Sequence, residues 1–432
     1  MNIIFFSLVA VSFLFAGWRE LSWTPAMGDI TPMAALSKAM IDSATGAVDL
    51  AIGLVGVMTL FLGLVKVAEA GGLLTVIARL IRPLMVRLFP DIPPDHPAMG
   101  AMILNLSANA LGLGNAATPF GIRAMQELDR LNPHKGTATN AMALFLAINT
   151  ASVTLLPTGV IALRAAAGSH DPAGILSTTL FASIGGTIVG VLAVTFFSRF
   201  SPLPVPSETS EIKESVAIPL SEDIGMPYAD TGAGYPAWVG IIAFGTFLCL
   251  ILLAVPYGKT ISPWVLPVIM IGFLLFGLFR GVRVYEVFVE GAKEGFQVAL
   301  KIIPYLVAIL VAVGMFRASG GMETLVGWLG IWTEKVGLPA EALPMALMRS
   351  LSGSGAYAIL AATINNPAIG PDSYTGYLVS TIQGSSETTF YVLAVYFGSI
   401  QVRRVRHTLA AALTADLAGL IFSIIACRFL VG

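Results

Sequence analysis

Long apolar runs recur along almost the whole chain and set its class. Each approaches or exceeds the roughly 20 residues that an α-helix needs to cross the hydrocarbon core of a bilayer. The full-length candidates are 47–67, 138–163, 175–197, 237–256, 262–280, 297–316, 374–400 and 408–430. This pattern predicts an all-α integral membrane protein with several spans.

Residues 1–17 form a further apolar segment, which is either a signal peptide or a first transmembrane helix. A cleaved signal usually has a basic start and a small-residue cleavage site. This segment has no charge before Arg19 and a weak cleavage site. An uncleaved helix is therefore the favoured interpretation.

One long hydrophilic stretch, rich in Pro, Ser and acidic residues, interrupts the apolar runs and has the composition of a solvated linker. It divides the chain into two halves. The predicted organisation is an N-terminal helix and loop at 1–45, a first repeat at 46–198, the linker at 199–236, connecting helices at 237–296 and a second repeat at 297–432.

The two halves present the same order of features, which indicates an internal duplication. Each has an apolar helix ending at a glycine pair, an amphipathic stretch, a polar hairpin flanked by apolar residues, an interrupted helix and a closing helix. The stretches beginning at Pro97 and Pro344 align without a gap and place Asn105 opposite Ser352. Later, 144–157 matches 378–391.

The distribution of Lys and Arg predicts that the repeats have opposite orientations. These residues favour the cytoplasmic side of membrane proteins. Most of them lie there if the N-terminus is cytoplasmic and the hairpins at 98–119 and 345–368 are re-entrant. The repeats then enter the membrane from opposite faces, with re-entrant or broken helices, as in many secondary transporters.

Composition agrees with a membrane protein and excludes several functions. Hydrophobic residues make up 56% and charged residues 11%, against about 25% charged in soluble domains. A net charge of −1 lacks the basic surface that nucleic acid requires. Two cysteines and four scattered histidines show no metal-ligand spacing, and no catalytic triad pattern occurs. We therefore predict no metal, no bound cofactor and no enzymatic activity.

The first candidate for a binding site is the polar stretch 105–119, NLSANALGLGNAATP, within an otherwise apolar region. Irregular backbone at membrane depth is tolerated only where it is buried in protein or lines a wet cavity. The alternative is close packing of helices through small residues, with Ser and Asn forming hydrogen bonds between them. The predicted solute-binding side chains are Asn105, Ser107, Asn109 and Asn115.

The second half offers charged candidates. Arg349 precedes the polar residues Ser352 and Ser354, and a charge at membrane depth costs about 2.5–3.5 kcal/mol at a helix centre. It either receives an anionic group or an acid, or extends to the membrane surface. Glu387, within QGSSETTFY, either contacts solute, a cation or a proton, or forms a structural salt bridge with Arg349.

Two further polar positions lie within predicted spans. Asn149, at an interruption of the run 138–163, aligns with Gln383 and is included among the candidate site residues. Asp416 lies in the closing apolar run, where a functional and a structural role are equally open.

The stretches NLSANALGLGNAATPFG, SLSGSGAYA and GSSETTFYVLAVYFG resemble the bacterial spore maturation proteins A and B, here joined head to tail. Both belong to the nucleoside recognition, or Gate, family, whose relatives include concentrative nucleoside transporters. By position, the resemblance implies ligand roles for Gln383, Ser385, Ser386, Glu387 and Thr388. The first repeat departs from this pattern, because Val153 replaces the acid.

These observations favour a multi-pass, secondary-transporter-like permease of the bacterial inner membrane, with a central site for a small polar or anionic solute between the repeats. Coupling to H⁺ or Na⁺ and assembly as a homo-oligomer are compatible with it. The competing hypothesis is a non-transporting scaffold in envelope or spore maturation, in which the hairpins pack together without a cavity. An intramembrane enzyme is disfavoured.

Overall fold

The computed structural model describes residues 2–24, 30–112, 117–202, 235–236, 238–240, 242, 245–246 and 258–430. Most of the predicted span 237–256, most of the linker and Asn115 lie outside these residues. The principal α-helices are α1 Asn2–Leu21, α2 Pro32–Ala70, α3 Leu73–Leu88, α4 Pro97–Ala110, α5 Thr118–Arg130, α6 Asn140–Ala151, α7 Thr158–Ala166, α8 Ile175–Ser198, α9 Gly258–Phe279, α10 Val284–Ala318, α11 Gly321–Thr333, α12 Leu343–Leu351, α13 Gly353–Ile364, α14 Tyr374–Gly384, α15 Thr389–Ser399 and α16 Thr408–Leu430. The all-α prediction is confirmed.

The helices follow the duplicated order predicted from the sequence. In the first half a long helix (α2), a short helix (α3), a helix pair (α4 and α5), a broken helix (α6 and α7) and a closing helix (α8) succeed one another. In the second half their counterparts are α10, α11, α12 with α13, α14 with α15, and α16.

Each long helix turns into its short successor at a glycine with a left-handed backbone. Gly72 has φ +87° and Gly320 has φ +85°, a conformation that costs side chains with a β carbon but not glycine. The segment Thr59–Ala70 is bent by 68° from Leu73–Leu88. At the equivalent position of the second half, Gly320 separates α10 from α11.

The long helices α2 and α10 pack against each other and run antiparallel. Near the end of α2, a β carbon placed on Gly291 would lie 2.5 Å from Lys66 Cβ. At the start of α2, Gly314 faces the Ser43 hydroxyl. Since 291 is near the start of α10 and 314 near its end, the chain directions are opposite.

The closing helices α8 and α16 also run antiparallel. A β carbon on Gly185 would lie 2.5 Å from the Phe422 ring, and one on Gly190 would lie 3.1 Å from Ala415 Cβ. Later residues of α8 thus meet earlier residues of α16. Glycine and alanine allow this close approach, as at many helix interfaces in membranes.

The two broken helices, α6 with α7 and α14 with α15, also run antiparallel. At one end Arg164, in the last turn of α7, forms a salt bridge of 3.0 Å with Asp372, just before α14. At the other end the amide of Ala138, before α6, donates to the carbonyl oxygen of Arg404, after α15, at 3.0 Å. All three pairs of counterparts are therefore antiparallel, and the inverted-repeat prediction is confirmed.

Hydropathy identifies the membrane-spanning helices among the described residues. Ile175–Ser198 and Thr408–Leu430 are each long and apolar enough to cross a bilayer, and the bent pair Thr59–Ala70 with Leu73–Leu88 adds a third candidate. The predicted runs 47–67 and 297–316 lie within the longer helices α2 and α10. The chain is thus an integral membrane protein, and its described part contains two continuous candidate spans and one bent candidate.

Candidate functional site

The breaks in the two broken helices lie against each other. The first break separates α6 from α7 after Ala151, and the second separates α14 from α15 after Gly384. The backbone amide of Glu387, in the second break, donates to the carbonyl oxygen of Thr150 at 2.7 Å. This bond satisfies one of the carbonyl groups that an ending helix leaves without an intrahelical partner. The repeats therefore meet at their irregular segments, which we call the central junction.

The end of α4 forms one wall of the central junction. Its residue Ala110 accepts a hydrogen bond of 2.8 Å from the amide of Leu155, in the first break. A side-chain bond lies beside it: Asn109 Nδ2 donates to Asn149 Oδ1 at 2.9 Å, and both residues are buried. Asn149 Nδ2 in turn donates to the carbonyl oxygen of Phe145 at 2.9 Å. The structure thus brings these two candidate asparagines together.

Asn105 and Ser107 also lie in this wall, but in regular helix rather than in an irregular turn. Asn105 Nδ2 donates to the carbonyl oxygen of Ala117 at 2.8 Å and to the Tyr396 hydroxyl at 3.0 Å. The Ser107 hydroxyl donates to the carbonyl oxygen of Ile103 at 2.7 Å. Both side chains are fully buried.

The sequence alignment that placed Asn105 opposite Ser352 does not match equivalent structure. Helix α4 continues to Ala110 and has 14 residues, whereas α12 has 9 and ends at Leu351. The physical reason is local. Ser352 has extended backbone and its hydroxyl accepts from the amide of Gly355 at 3.1 Å, which starts a new helix. The Asn105 side chain instead donates to groups outside α4, and the helix continues past it to Ala110.

Arg349, in α12, faces the second break. Its side chain is 6% exposed. Nε donates to the Ser386 hydroxyl at 3.2 Å, and Nη1 donates to the Thr388 hydroxyl at 3.3 Å. Nη2 lies 3.9 Å from Oε2 of Glu387, whose side chain is 40% exposed. The guanidinium is buried while its acidic partner remains accessible, so Arg349 does not extend to the membrane surface.

The remaining candidate residues of the second half lie close to the pair of Arg349 and Glu387 or face away from it. A β carbon on Gly353, between Ser352 and Ser354, would lie 3.0 Å from the Thr388 hydroxyl, so the two breaks in the second half are adjacent. The Gln383 side chain is buried, and its Oε1 has no hydrogen-bond partner among the described residues. Ser385 faces the closing helix instead, with its hydroxyl 3.3 Å from that of Ser423.

Two residues at or beside the central junction were not among the predicted solute-binding side chains. Thr150 supplies the carbonyl that joins the breaks; the sequence marked an interruption at Asn149 and Thr150, but no sequence signal distinguishes a backbone carbonyl as a partner. Asp416, whose role the sequence left open, accepts a hydrogen bond of 2.7 Å from the Thr389 hydroxyl at the start of α15. An acid in an otherwise apolar helix was its detectable signal.

Two tyrosines hold the hairpin helices against the broken helices of the opposite repeat. Tyr357, in α13, places its hydroxyl against Gly159 in α7. Tyr396, in α15, places its ring against Gly121 in α5. A β carbon at either glycine would overlap the tyrosine. The contacts are related by the duplication, but tyrosine and glycine exchange sides.

This geometry predicts different effects of rescue mutations at the two glycines. Gly159→Ala and Gly121→Ala should each lower the free energy of unfolding by about 1–3 kcal/mol, the usual cost of overpacking. Tyr357→Phe should restore the first, because the nearest remaining ring atom, Cζ, would lie 3.2 Å from the new methyl. Tyr396→Phe should not restore the second, since Cζ itself overlaps. Thermal unfolding of the four single and two double variants in detergent measures this, and equal rescue at both sites would contradict it.

The first half matches a known family model. Residues 51–203 match the family described as Gate, nucleoside recognition. The chain is 40% identical over 197 residues to spore maturation protein A of Bacillus subtilis (strain 168), covering 46% of this chain and 95% of that protein. It is 44% identical over 167 residues to spore maturation protein B of the same organism, covering 39% of this chain and 93% of that protein.

The crystal structure of the YdaH transporter of Alcanivorax borkumensis aligns with 99% of this chain and 97% of its own, with 17% sequence identity and a TM-score of 0.43.

Proposed function

Because the chain belongs to the Gate, or nucleoside recognition, family and joins a half similar to spore maturation protein A to a half similar to spore maturation protein B, we propose that it is a permease. In this proposal it is a multi-pass protein of the bacterial inner membrane and moves a small polar or anionic solute. The observation that carries the proposal is the meeting of two oppositely directed broken helices at a charged, hydroxyl-rich junction.

The position of the polar groups supports a solute site. Backbone groups freed at helix breaks in a membrane must be satisfied by protein or by a wet cavity. Inverted repeats with broken helices place such groups near the bilayer midplane, where transporters bind their substrates. In this chain Thr150, Glu387 and Thr388 lie at the central junction, where the two broken helices meet. Movement of one repeat against the other would expose the site to alternate sides.

The geometry around Arg349 supports a preference for anionic or strongly polar solutes. Charge-assisted hydrogen bonds from a guanidinium to a carboxylate are usually about 2.7–2.9 Å long. Arg349 instead makes hydroxyl contacts of 3.2 and 3.3 Å and lies 3.9 Å from Glu387. A solute carboxylate or phosphate would form shorter bonds than these. Glu387, as the accessible partner, would accept from solute donors or move aside.

The decisive test begins with an unbiased thermal-shift screen, because a ligand that binds the folded state raises apparent stability. The panel includes nucleosides, nucleotides and carboxylic and amino acids. Uptake of each hit is then measured in proteoliposomes with an imposed H⁺ or Na⁺ gradient. Glu387→Gln should abolish the stabilisation and uptake by the hits. The matched control is Glu341→Gln, which alters an exposed acid outside the central junction and should leave both intact.

Unchanged uptake in the Glu387→Gln variant would remove this residue from the mechanism. A second candidate function is a non-transporting scaffold in envelope or spore maturation. The names of the two relatives favour it, and so does the direct bond between Asn109 and Asn149. It predicts that no solute in the panel moves across proteoliposomes, whichever gradient is imposed.

A further inference from the structure

Asp416 is an intramembrane acid that the proposed solute site does not use. It lies eight residues after the first residue of α16, about 12 Å along the helix axis. Helix α16 is apolar enough to cross a bilayer. An acid at the centre of such a helix costs about 2.5–3.5 kcal/mol. Its presence therefore requires either a strong partner or neutralisation.

The two carboxyl oxygens of Asp416 have different surroundings. Oδ2 accepts from the Thr389 hydroxyl at 2.7 Å. Oδ1 is buried and has no hydrogen-bond partner among the described residues. Ser350 also faces the carboxyl group without reaching Oδ1 in hydrogen-bond geometry. A buried, unpartnered oxygen on an ionised carboxylate is strongly unfavourable, and a proton on Oδ1 removes that charge.

The charges around Asp416 come from two neighbouring segments. The positive charge of Arg349, in α12, attracts two carboxyl groups, that of Asp416 in α16 and that of Glu387 in the second break. If all three are ionised, one cation faces two acids. The helices α6 and α8, which pack against α16, contain no titratable residue. The other titratable residues on the elements packed against Asp416 are Tyr374 and Tyr377 in α14 and Tyr391 and Tyr396 in α15, and α16 itself carries Cys427 and Arg428.

We propose that Asp416 binds the coupling proton of the permease, and that solute and proton are linked because Asp416 and an anionic solute compete for Arg349. This rests on the proposed function above. An anion bound to Arg349 withdraws the counter-charge from Asp416. A hydronium ion then transfers its proton: one of its O–H bonds breaks, leaving water, while an O–H bond forms at Oδ1. On the opposite side the O–H bond at Oδ1 breaks and water takes up the proton. By linkage, protonation favours solute binding by the same factor.

Thr389 connects this protonation to the second break. It is the first residue of α15, so the bond from Thr389 to Oδ2 joins the start of α15 to α16. A neutral carboxyl group is a weaker acceptor than a carboxylate. Protonation of Asp416 therefore loosens the attachment of α15 at the central junction, where a change of access would begin.

The test uses the whole 432-residue chain in detergent and the proton itself as the probe. Infrared difference spectra are recorded across a pH titration. The wild type should show a carboxylic acid band that disappears in Asp416→Asn and persists in the control Glu341→Gln. Identical bands in wild type and Asp416→Asn would overturn the proposal.

A second variant keeps the test valid if Asp416→Asn does not fold. Thr389→Val preserves side-chain shape but removes the donor to Oδ2, so the same band should shift. An unmoved band overturns the proposal. This test distinguishes failure of the proposed permease function from failure of the proton assignment. If no solute is transported but the infrared band responds to the variants as expected, Asp416 still binds a proton and the permease proposal fails. If solute uptake occurs but the band is unchanged in both variants, only the assignment of the proton to Asp416 fails.

Discussion

Replacing Asp372 by Ala should lower the free energy of unfolding by about 3–5 kcal/mol, the usual cost of leaving a buried charge without its ionic partner. The reason is that its partner Arg164 is 0% exposed and would be left as a buried charge. Asp372 Oδ1 lies 3.0 Å from Arg164 Nη2 and also accepts from the Ser169 hydroxyl at 2.5 Å. Its Oδ2 accepts from the amide of His170 at 2.8 Å.

The contacts of Arg164 explain why the loss would not stay local. The guanidinium donates to the carbonyl oxygens of Pro371 at 2.6 Å and Asp171 at 3.1 Å. It also lies 4.1 Å above the Tyr377 ring, within cation–π range. These contacts join the end of α7 to the start of α14. Weakening them loosens one end of the paired broken helices.

Two companion variants separate charge from shape at this ion pair. Asp372→Asn retains an oxygen acceptor for Ser169 and should lose less stability than Asp372→Ala. Adding Arg164→Met to Asp372→Ala should restore part of the loss, because removing both charges removes the uncompensated one. Thermal and denaturant unfolding in detergent give the values. An Asp372→Ala protein within about 0.5 kcal/mol of wild type, the range of ordinary surface substitutions, would refute this interpretation.

The second large effect is expected for binding. Arg349→Gln should weaken the binding of anionic solutes identified in the thermal-shift screen. The expected loss of binding free energy is about 2–5 kcal/mol, the range found when one partner of a buried charge pair is truncated. That is roughly thirtyfold to several thousandfold in affinity. Neutral polar solutes should lose much less affinity, because the hydroxyls of Ser386 and Thr388 remain available to bind them.

Arg349→Lys is the matched control for this prediction. Lysine keeps the positive charge but cannot present the fork of donors through which Arg349 reaches two hydroxyls. Affinity for anions should therefore lie between those of wild type and Arg349→Gln. Titration of each hit by calorimetry measures the order. Equal affinities of all three proteins for an anionic solute would show that Arg349 only holds the second break in place.

The class of protein and its duplicated architecture followed from local patterns in the sequence. Apolar runs and the matching polar stretches predicted the helices, the breaks and the duplication, and the distribution of Lys and Arg predicted that the two repeats are inverted; the structure contains all of these features. These features are local because burial in lipid constrains each helix through its own hydropathy and its own backbone hydrogen bonds. The polar residues around both breaks were detectable for the same reason.

The partners of those polar residues were decided by the tertiary structure. The side-chain amide of Asn105 donates to the Tyr396 hydroxyl, and the buried Arg164 donates to Asp372, which lies 208 positions later in the chain. Hydropathy cannot encode which distant groups meet, since a hydrogen bond depends on a few tenths of an ångström in the packing of whole helices. The sequence by itself thus determined a membrane protein built from inverted repeats with broken helices. Only the packing of one repeat on the other brought Thr150, Glu387 and Arg349 to one junction.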